Sequence, residues 1–71
     1  MEIEMKIKDV IKESGMSLKD LEIKTGIKQE DLKLIQELPA DEILLHELVL
    51  IASALGKSVE DLFEVKNIII I

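Results

Sequence analysis

The stretch SLKDLEIKTGI, residues 17–27, decides the fold, because a helix start, an apolar stripe and a helix stop follow one another within it. Ser17 and Asp20 have the S-x-x-D spacing of a capping box, in which each side chain accepts a hydrogen bond from the backbone N–H of the other residue. Leu21 lies on the apolar side of the helix that follows. Gly26 is predicted to end this helix, because glycine adopts a positive φ without a side-chain clash.

A second helix is predicted directly after this turn, over residues 29–38. Leu32 and Ile35 give it one buried stripe, and Pro39 stops it because proline has no backbone N–H to donate. Two short helices joined by a tight turn need a surrounding helical pocket if both apolar stripes are to be buried. The pattern therefore predicts a helix-turn-helix that is held by further helices.

The flanking sequence supplies those further elements. Apolar and polar residues alternate at the start of the chain, which is typical of a half-buried strand, and the period then changes to that of a helix. Ser58 and Asp61 form a second S-x-x-D box. The predicted order is a strand in residues 1–8, a helix from residue 7 to Gly15, the two helices above, a helix from a cap at Asp41 to Leu55 that is closed by Gly56, a short helix in residues 58–63 and a β-branched strand in residues 64–71.

The composition limits the classes of function. At 71 residues, 48% apolar and 34% charged, the chain is predicted to be one folded domain, residues 1–71, with its core in about 7–65 and an apolar tail in 66–71. Phe63 is its only Phe, Tyr or Trp, which excludes an aromatic platform for single-stranded nucleic acid. Cysteine is absent, so disulfides and thiolate chemistry are excluded. Apolar runs are short and the N-terminus is acidic, so we expect a cytoplasmic protein.

The charge opposes nucleic-acid binding. The net charge is −6, and the acidic excess falls in residues 29–71. A DNA-binding protein gains affinity by neutralising phosphates, and arginine, the best bidentate reader of guanine, is absent here. Five lysines in or beside the first two predicted helices could attract the DNA backbone: Lys6, Lys8, Lys12, Lys19 and Lys24. The simpler interpretation is that most of them are scattered, solvated surface residues.

Catalytic and metal-binding patterns are not found. His46 is the only histidine, and Glu42 lies four residues before it, on the same face of the predicted helix. One histidine and one carboxylate are too few ligands for zinc, so a local contact between the two side chains is the expected interpretation. No nucleophile with a spaced partner and no glycine-rich phosphate loop occurs. We therefore expect no enzyme activity, no cofactor and no metal.

The order of these motifs resembles the Cro/phage-repressor-like (XRE family) helix-turn-helix domain over about residues 7–65. The most specific part is IASALGKSVEDLFEV, residues 51–65, and the turn segment matches at Ser17, Leu21, Gly26 and Ile27. The resemblance implies an all-α fold, a five-helix lambda-repressor-like DNA-binding domain with a helix-turn-helix, and the terminal segments are compatible with short β-strands. It also implies a DNA-binding transcriptional regulator.

The same resemblance implies a set of DNA-contacting residues. It places Lys28, Gln29, Glu30 and Lys33 on the groove-facing side of the third helix, with Lys19 at a phosphate. Gln29 is then suited to an adenine edge, Lys33 to a phosphate or guanine, and Glu30 to the N4 amine of cytosine.

Departures from the family pattern support a second hypothesis. The family favours a small residue where the two helices cross, but this chain has Glu22, which predicts that the helices splay or pack differently. Leu18 replaces a polar phosphate ligand, Lys28 a serine-type cap, and Leu34 a residue that is often basic. The alternative is therefore a protein-interaction or oligomerisation module on a degenerate helix-turn-helix scaffold that no longer binds DNA.

The fourth predicted helix is apolar around nearly its whole circumference, which requires cover on more than one side. The chain also ends in four isoleucines, Ile68, Ile69, Ile70 and Ile71, whose exposed strand edges would invite association. This segment could pair with residues 3–7 of the same chain, pair with the matching strand of a second chain, or fray. From these two features we expect a homodimer that uses the isoleucine tail and part of the fourth helix.

Overall fold

The computed structural model describes residues 2–66, in which four α-helices contribute to one core and a two-stranded sheet is joined to them. The elements are β1 (Glu2–Met5), α1 (Ile7–Ser14), α2 (Leu18–Thr25), α3 (Gln29–Ile35), a 3-10 turn at Ala40–Glu42, α4 (Leu45–Leu55), a second 3-10 turn at Val59–Leu62 and β2 (Phe63–Lys66).

The sheet joins the predicted N-terminal strand to the segment after the second 3-10 turn. β1 and β2 are antiparallel, with Ile3 opposite Val65 and Met5 opposite Phe63. Ile7 already belongs to α1, so the predicted strand ends sooner than the alternation of residues 1–8 suggested. The isoleucine tail, residues 68–71, lies outside the described residues.

The helix-turn-helix begins as the sequence predicts. The backbone N–H of Asp20 donates to Ser17 Oγ over 3.1 Å, and the backbone N–H of Ser17 donates to Asp20 Oδ2 over 3.4 Å. These two bonds satisfy donors that have no partner inside the helix. At the other end of α2, Gly26 has a φ of 77° and its N–H donates to the carbonyl of Glu22 over 2.8 Å.

Two predicted helices begin or end elsewhere. The third ends at Ile35 rather than at residue 38, where the N–H of Leu38 donates to the carbonyl of Ile35 in a turn. The fourth begins at Leu45, and Asp41 lies in the first 3-10 turn instead of capping it. The cause is Ile43, whose extended backbone places its side chain in the core and interrupts the helix.

The fifth predicted helix is a 3-10 turn, so the described residues contain four α-helices rather than five. Ser58 and Asp61 form the predicted box. The backbone N–H of Ser58 donates to Asp61 Oδ2 over 3.0 Å, and the Ser58 hydroxyl also donates to that oxygen over 3.0 Å. The bond from the Ser58 backbone, followed by that from its hydroxyl, lowers the pKa of the Asp61 carboxyl. Phe63 is extended and pairs with Met5, which ends the helical turn.

The core fixes α2 and α3 against the rest of the molecule. Leu21 is completely buried, and the N–H of Lys6 donates to the carbonyl of Leu62 over 2.7 Å, which ties the start of α1 to the second 3-10 turn. Within residues 2–66 no helix has the length and apolar character that crossing a membrane requires. The buried core residues are Ile7, Val10, Ile11, Leu21, Leu32, Ile35, Ile43, Ile51, Ala52 and Leu62.

Candidate nucleic-acid interface

The turn between α2 and α3 is fixed by Thr25. Its Oγ1 donates to the carbonyl of Leu21 over 2.6 Å and accepts from the N–H of Ile27 over 3.1 Å. One hydroxyl therefore joins the last turn of α2 to the chain that enters α3. Leu32 and Ile35 of α3 are buried in the core, which fixes the position of this helix. The opposite face of α3 points away from the core.

Glu22 lies at the crossing of the two helices, and the expected splaying is not what its contacts indicate. The side chain is half-buried, and its Oε2 accepts from the backbone N–H of Gln29 over 3.1 Å. Its Oε1 accepts from Gln29 Nε2 over 3.4 Å. The carboxylate therefore bridges α2 and the first residue of α3, which joins the two helices.

Lys28 explains why this bridge is needed. Lys28 occupies the N-cap position of α3, and its side chain makes no capping hydrogen bond. Lysine has only donors, so it cannot accept from the free N–H groups of a helix start. Glu22 supplies the missing acceptor and places a negative charge at the positive end of the helix. The two departures from the family pattern therefore compensate each other.

The residues implied as DNA contacts lie at the start of α2, at the N-cap of α3 and on α3 itself. Lys19, Lys28, Glu30 and Lys33 are exposed, whereas Gln29 is half-buried beside Glu22. Lys33 follows Gln29 by four residues, so the two side chains share one face of the helix. A basic residue and a carboxamide are thus available on the same face.

Acidic side chains also lie on α3 and in the segment that follows it. Glu30 and Asp31 are exposed in the first turn of α3, where the helix N-terminus favours negative charge. Glu37 accepts from Lys8 Nζ over 3.4 Å, which ties the segment after α3 to α1. Both partners are largely exposed, so this ion pair contributes little stability, but it removes Glu37 from the set of unneutralised carboxylates.

Two leucines differ in what they do near this surface. Leu18 is half-buried and packs against the core, so it is a structural residue at a position where a phosphate ligand was expected. Leu34 is 57% exposed on α3. An exposed aliphatic side chain can make apolar contact with a partner molecule.

The sequence predicted that Glu42 and His46 lie on the same face of the fourth helix, and this prediction is wrong. Glu42 lies in the first 3-10 turn rather than in α4, so the helical spacing between the two residues does not exist, and His46 is exposed. Residues 2–66 contain no group of three His, Cys, Asp or Glu side chains that could hold a metal ion.

α4 has an exposed apolar face, as its composition predicted. Ile51 and Ala52 are buried, but Leu45 is 69% exposed, Val49 is about half exposed, and Leu44 at the N-cap is also exposed. A shallow apolar groove lies on this face, lined by Leu45, His46, Val49 and Leu50. We call Leu44, Leu45, Val49 and Leu50 the α4 face. Exposed apolar side chains that lie next to one another are candidates for an interaction site.

Sequence reasoning missed the role of Glu22 and treated it as a defect. A signal was present, because the helix after the turn has no residue at its cap that can accept a hydrogen bond. A carboxylate on the preceding helix is then the nearest candidate acceptor. Thr25 was also missed, although a hydroxyl directly before a turn glycine is suited to bond the backbone locally.

The comparisons with known proteins agree with this geometry. A family model described as a Cro/C1-type HTH DNA-binding domain matches residues 6–67, which includes all four α-helices. A search of curated proteins and a search of solved structures found no match. The family match confirms the resemblance drawn from the sequence.

Proposed function

The chain belongs to the Cro/C1-type helix-turn-helix DNA-binding family, and on that premise we propose that it is a transcriptional regulator that binds duplex DNA through α3. The main support is the position of α3, whose buried Leu32 and Ile35 hold it against the core and leave Lys33 exposed, with the half-buried Gln29 one turn before it beside Glu22. A helix held in this way can enter a major groove and block other proteins from the site. The mode of action is steric occupancy.

Each candidate contact residue has a defined role in this proposal. Gln29 and Lys33 meet base edges, and Glu30 accepts from a cytosine amine. Lys28 and Lys19 neutralise phosphates on either side of the groove, which supplies the attraction that the net charge of −6 opposes. The lysines are exposed, so they reach a phosphate without loss of core packing.

Fluorescence anisotropy of a labelled random duplex at low salt tests the proposal. The expected result is saturable binding that Lys33→Ala weakens. Lys57→Ala is the matched control, because Lys57 is an exposed lysine that follows α4 and belongs neither to α3 nor to the turn before it, and its removal is expected to leave binding nearly unchanged. If the wild-type protein fails to bind at the lowest salt, the DNA-binding proposal falls and the interaction-module alternative replaces it.

We also propose that the protein is a homodimer formed through the α4 face and the tail residues 68–71. The exposed leucines of α4 support this, since a second copy would remove them from water. A standard interface buries about 800 Å² on each partner, so the α4 face needs additional surface, and the apolar tail in residues 68–71 is a candidate in the sequence. Two-fold symmetry would present two α3 helices to successive major-groove faces.

Sedimentation velocity at micromolar concentration tests the dimer. The expected species has about twice the 8.0 kDa chain mass, and Leu45→Glu shifts it to the monomer. Leu34→Glu is a matched control, because it places the same charge on an exposed leucine outside the α4 face. A wild-type species of 8.0 kDa would contradict the dimer and leave the DNA proposal standing.

A further inference from the structure

Glu22 and Gln29 form a contact with consequences for base recognition. The side chain of Gln29 is the carboxamide that the proposed function assigns to a base edge. In the structure its Nε2 donates to Glu22 Oε1, and its own backbone N–H donates to Glu22 Oε2. The same carboxylate therefore contacts both ends of one residue.

The chemistry of this contact determines which way the carboxamide is turned. An ionised carboxylate has only acceptors, so it can bond the amide NH₂ of Gln29 but not its carbonyl oxygen. Turning the amide over would place two acceptor oxygens against each other. The NH₂ group is therefore held toward Glu22, and Gln29 Oε1 has no hydrogen-bond partner within residues 2–66.

A carbonyl acceptor selects among the four bases. In the major groove adenine offers the N6 amine and cytosine the N4 amine, whereas guanine and thymine offer acceptors at the corresponding positions. Adenine also accepts at N7, which the second N–H of Gln29 Nε2 can reach. An oriented carboxamide thus favours adenine, then cytosine, and disfavours guanine and thymine.

We propose that Glu22 is a positioning residue that orients the Gln29 carboxamide, with Oε1 available to the groove, and so selects an amine-bearing base, adenine or cytosine, at the base pair that Gln29 meets. This inference rests on the proposed function, because it needs α3 to enter a major groove. Glu22 itself need not contact DNA. The family favours a small residue at this position for close packing of the two helices. In this chain the residue at that position, Glu22, helps to set base specificity.

Capping and orientation must be separated, because Glu22 does both. Glu22→Ala removes both, while Glu22→Ala combined with Lys28→Ser returns an acceptor to the N-cap of α3 and leaves Gln29 Nε2 without its partner. The double variant is expected to regain the thermal stability lost in Glu22→Ala. A residue with only a structural role would regain base preference along with stability.

Selection from a random duplex library provides the base preference of each variant. The wild-type protein is expected to enrich adenine or cytosine at one position of each half-site, and Gln29→Ala identifies that position by losing the preference there. Both Glu22→Ala and the double variant are expected to lose at least about fivefold of the preference at that position alone. The double variant also binds every sequence more weakly, because Lys28 is one of the proposed phosphate contacts. A phosphate contact carries no base preference, so the preferences at the other positions stay unchanged.

The outcomes distinguish the inference from the proposed function. If the double variant keeps the wild-type preference at the Gln29 position, or if the wild type prefers guanine or thymine there, the positioning role is overturned while DNA binding stands. If the wild type binds no duplex, the proposed function fails and the inference fails with it. The free protein gives a further readout: the Gln29 side-chain NH₂ resonances must shift in the double variant, and unchanged resonances would overturn the contact.

Discussion

Replacing Glu22 with alanine tests the account of the α2–α3 junction without any DNA. The variant loses the 3.1 Å bond to the backbone N–H of Gln29 and the weaker 3.4 Å bond to its side chain. Loss of a helix cap costs about 1 kcal/mol. The charge at the helix start contributes about 0.3–1 kcal/mol. Alanine returns up to about 0.5 kcal/mol through its better helix propensity. The expected net loss is about 1–1.5 kcal/mol.

Thermal unfolding followed by circular dichroism measures this loss. For a chain of this size each kcal/mol corresponds to about 4–8 °C in Tm, so Glu22→Ala is expected to melt roughly 5–10 °C lower. Glu13→Ala is the matched control, because Glu13 is an exposed glutamate on α1 without a hydrogen-bond partner in the described chain. The reasoning is refuted if Glu22→Ala melts at the wild-type temperature, or if both variants fall equally.

Three further predictions follow from single features of the molecule. Gly26→Ala places an L-residue at a φ of +77° where the added Cβ meets no atom within 4 Å, so the cost is conformational alone, about 1 kcal/mol by urea unfolding, and a more stable variant would contradict it. Asp61→Asn is expected to be less stable than the wild type near neutral pH, because the hydrogen bonds from Ser58 lower the pKa of Asp61. The wild type keeps this advantage above the ordinary Asp pKa and loses it as the pH falls through the lowered pKa. A difference in stability that persists in strong acid would refute the prediction. Glu30→Gln binds a random duplex up to about fivefold more tightly at low salt, because it removes a repulsive charge from α3 and keeps a carbonyl oxygen as the acceptor proposed for cytosine. Glu60→Gln is the control that should not bind more tightly, because Glu60 is an exposed glutamate of the second 3-10 turn.

The local signals in the sequence predicted the helix-turn-helix well. Ser17 and Asp20 form the expected box, Gly26 has the expected positive φ, and Leu32 and Ile35 are buried. Each of these features depends on residues a few positions apart, so backbone geometry and periodicity are enough to place them. The exposed face of α4 was predictable for the same reason.

The misses occurred where tertiary contacts decide the local conformation. Asp41 has the residue type of a helix cap, but burial of Ile43 requires extended chain, and the helix starts later. Phe63 leaves the predicted fifth helix because it pairs with Met5 in a strand from the other end of the described chain.

Glu22 was misjudged for a related reason. Its contact with Gln29 crosses the turn, so it depends on the angle between two helices rather than on sequence spacing. Sequence alone could show that Lys28 is unable to cap α3, but not which carboxylate would take its place. The candidate contact residues on α3 came from the family resemblance, because charge and composition alone argued against DNA.

The salt dependence of duplex binding tests the central claim most directly. If Lys19 and Lys28 each neutralise one phosphate, the logarithm of the binding constant falls with the logarithm of salt concentration with a slope of about −2 per chain, and Lys19→Ala reduces the steepness of that slope by about 1. Binding with that slope is the predicted result. No binding at low salt, or binding whose strength does not change with salt, would contradict the claim that α3 of this acidic protein docks on DNA.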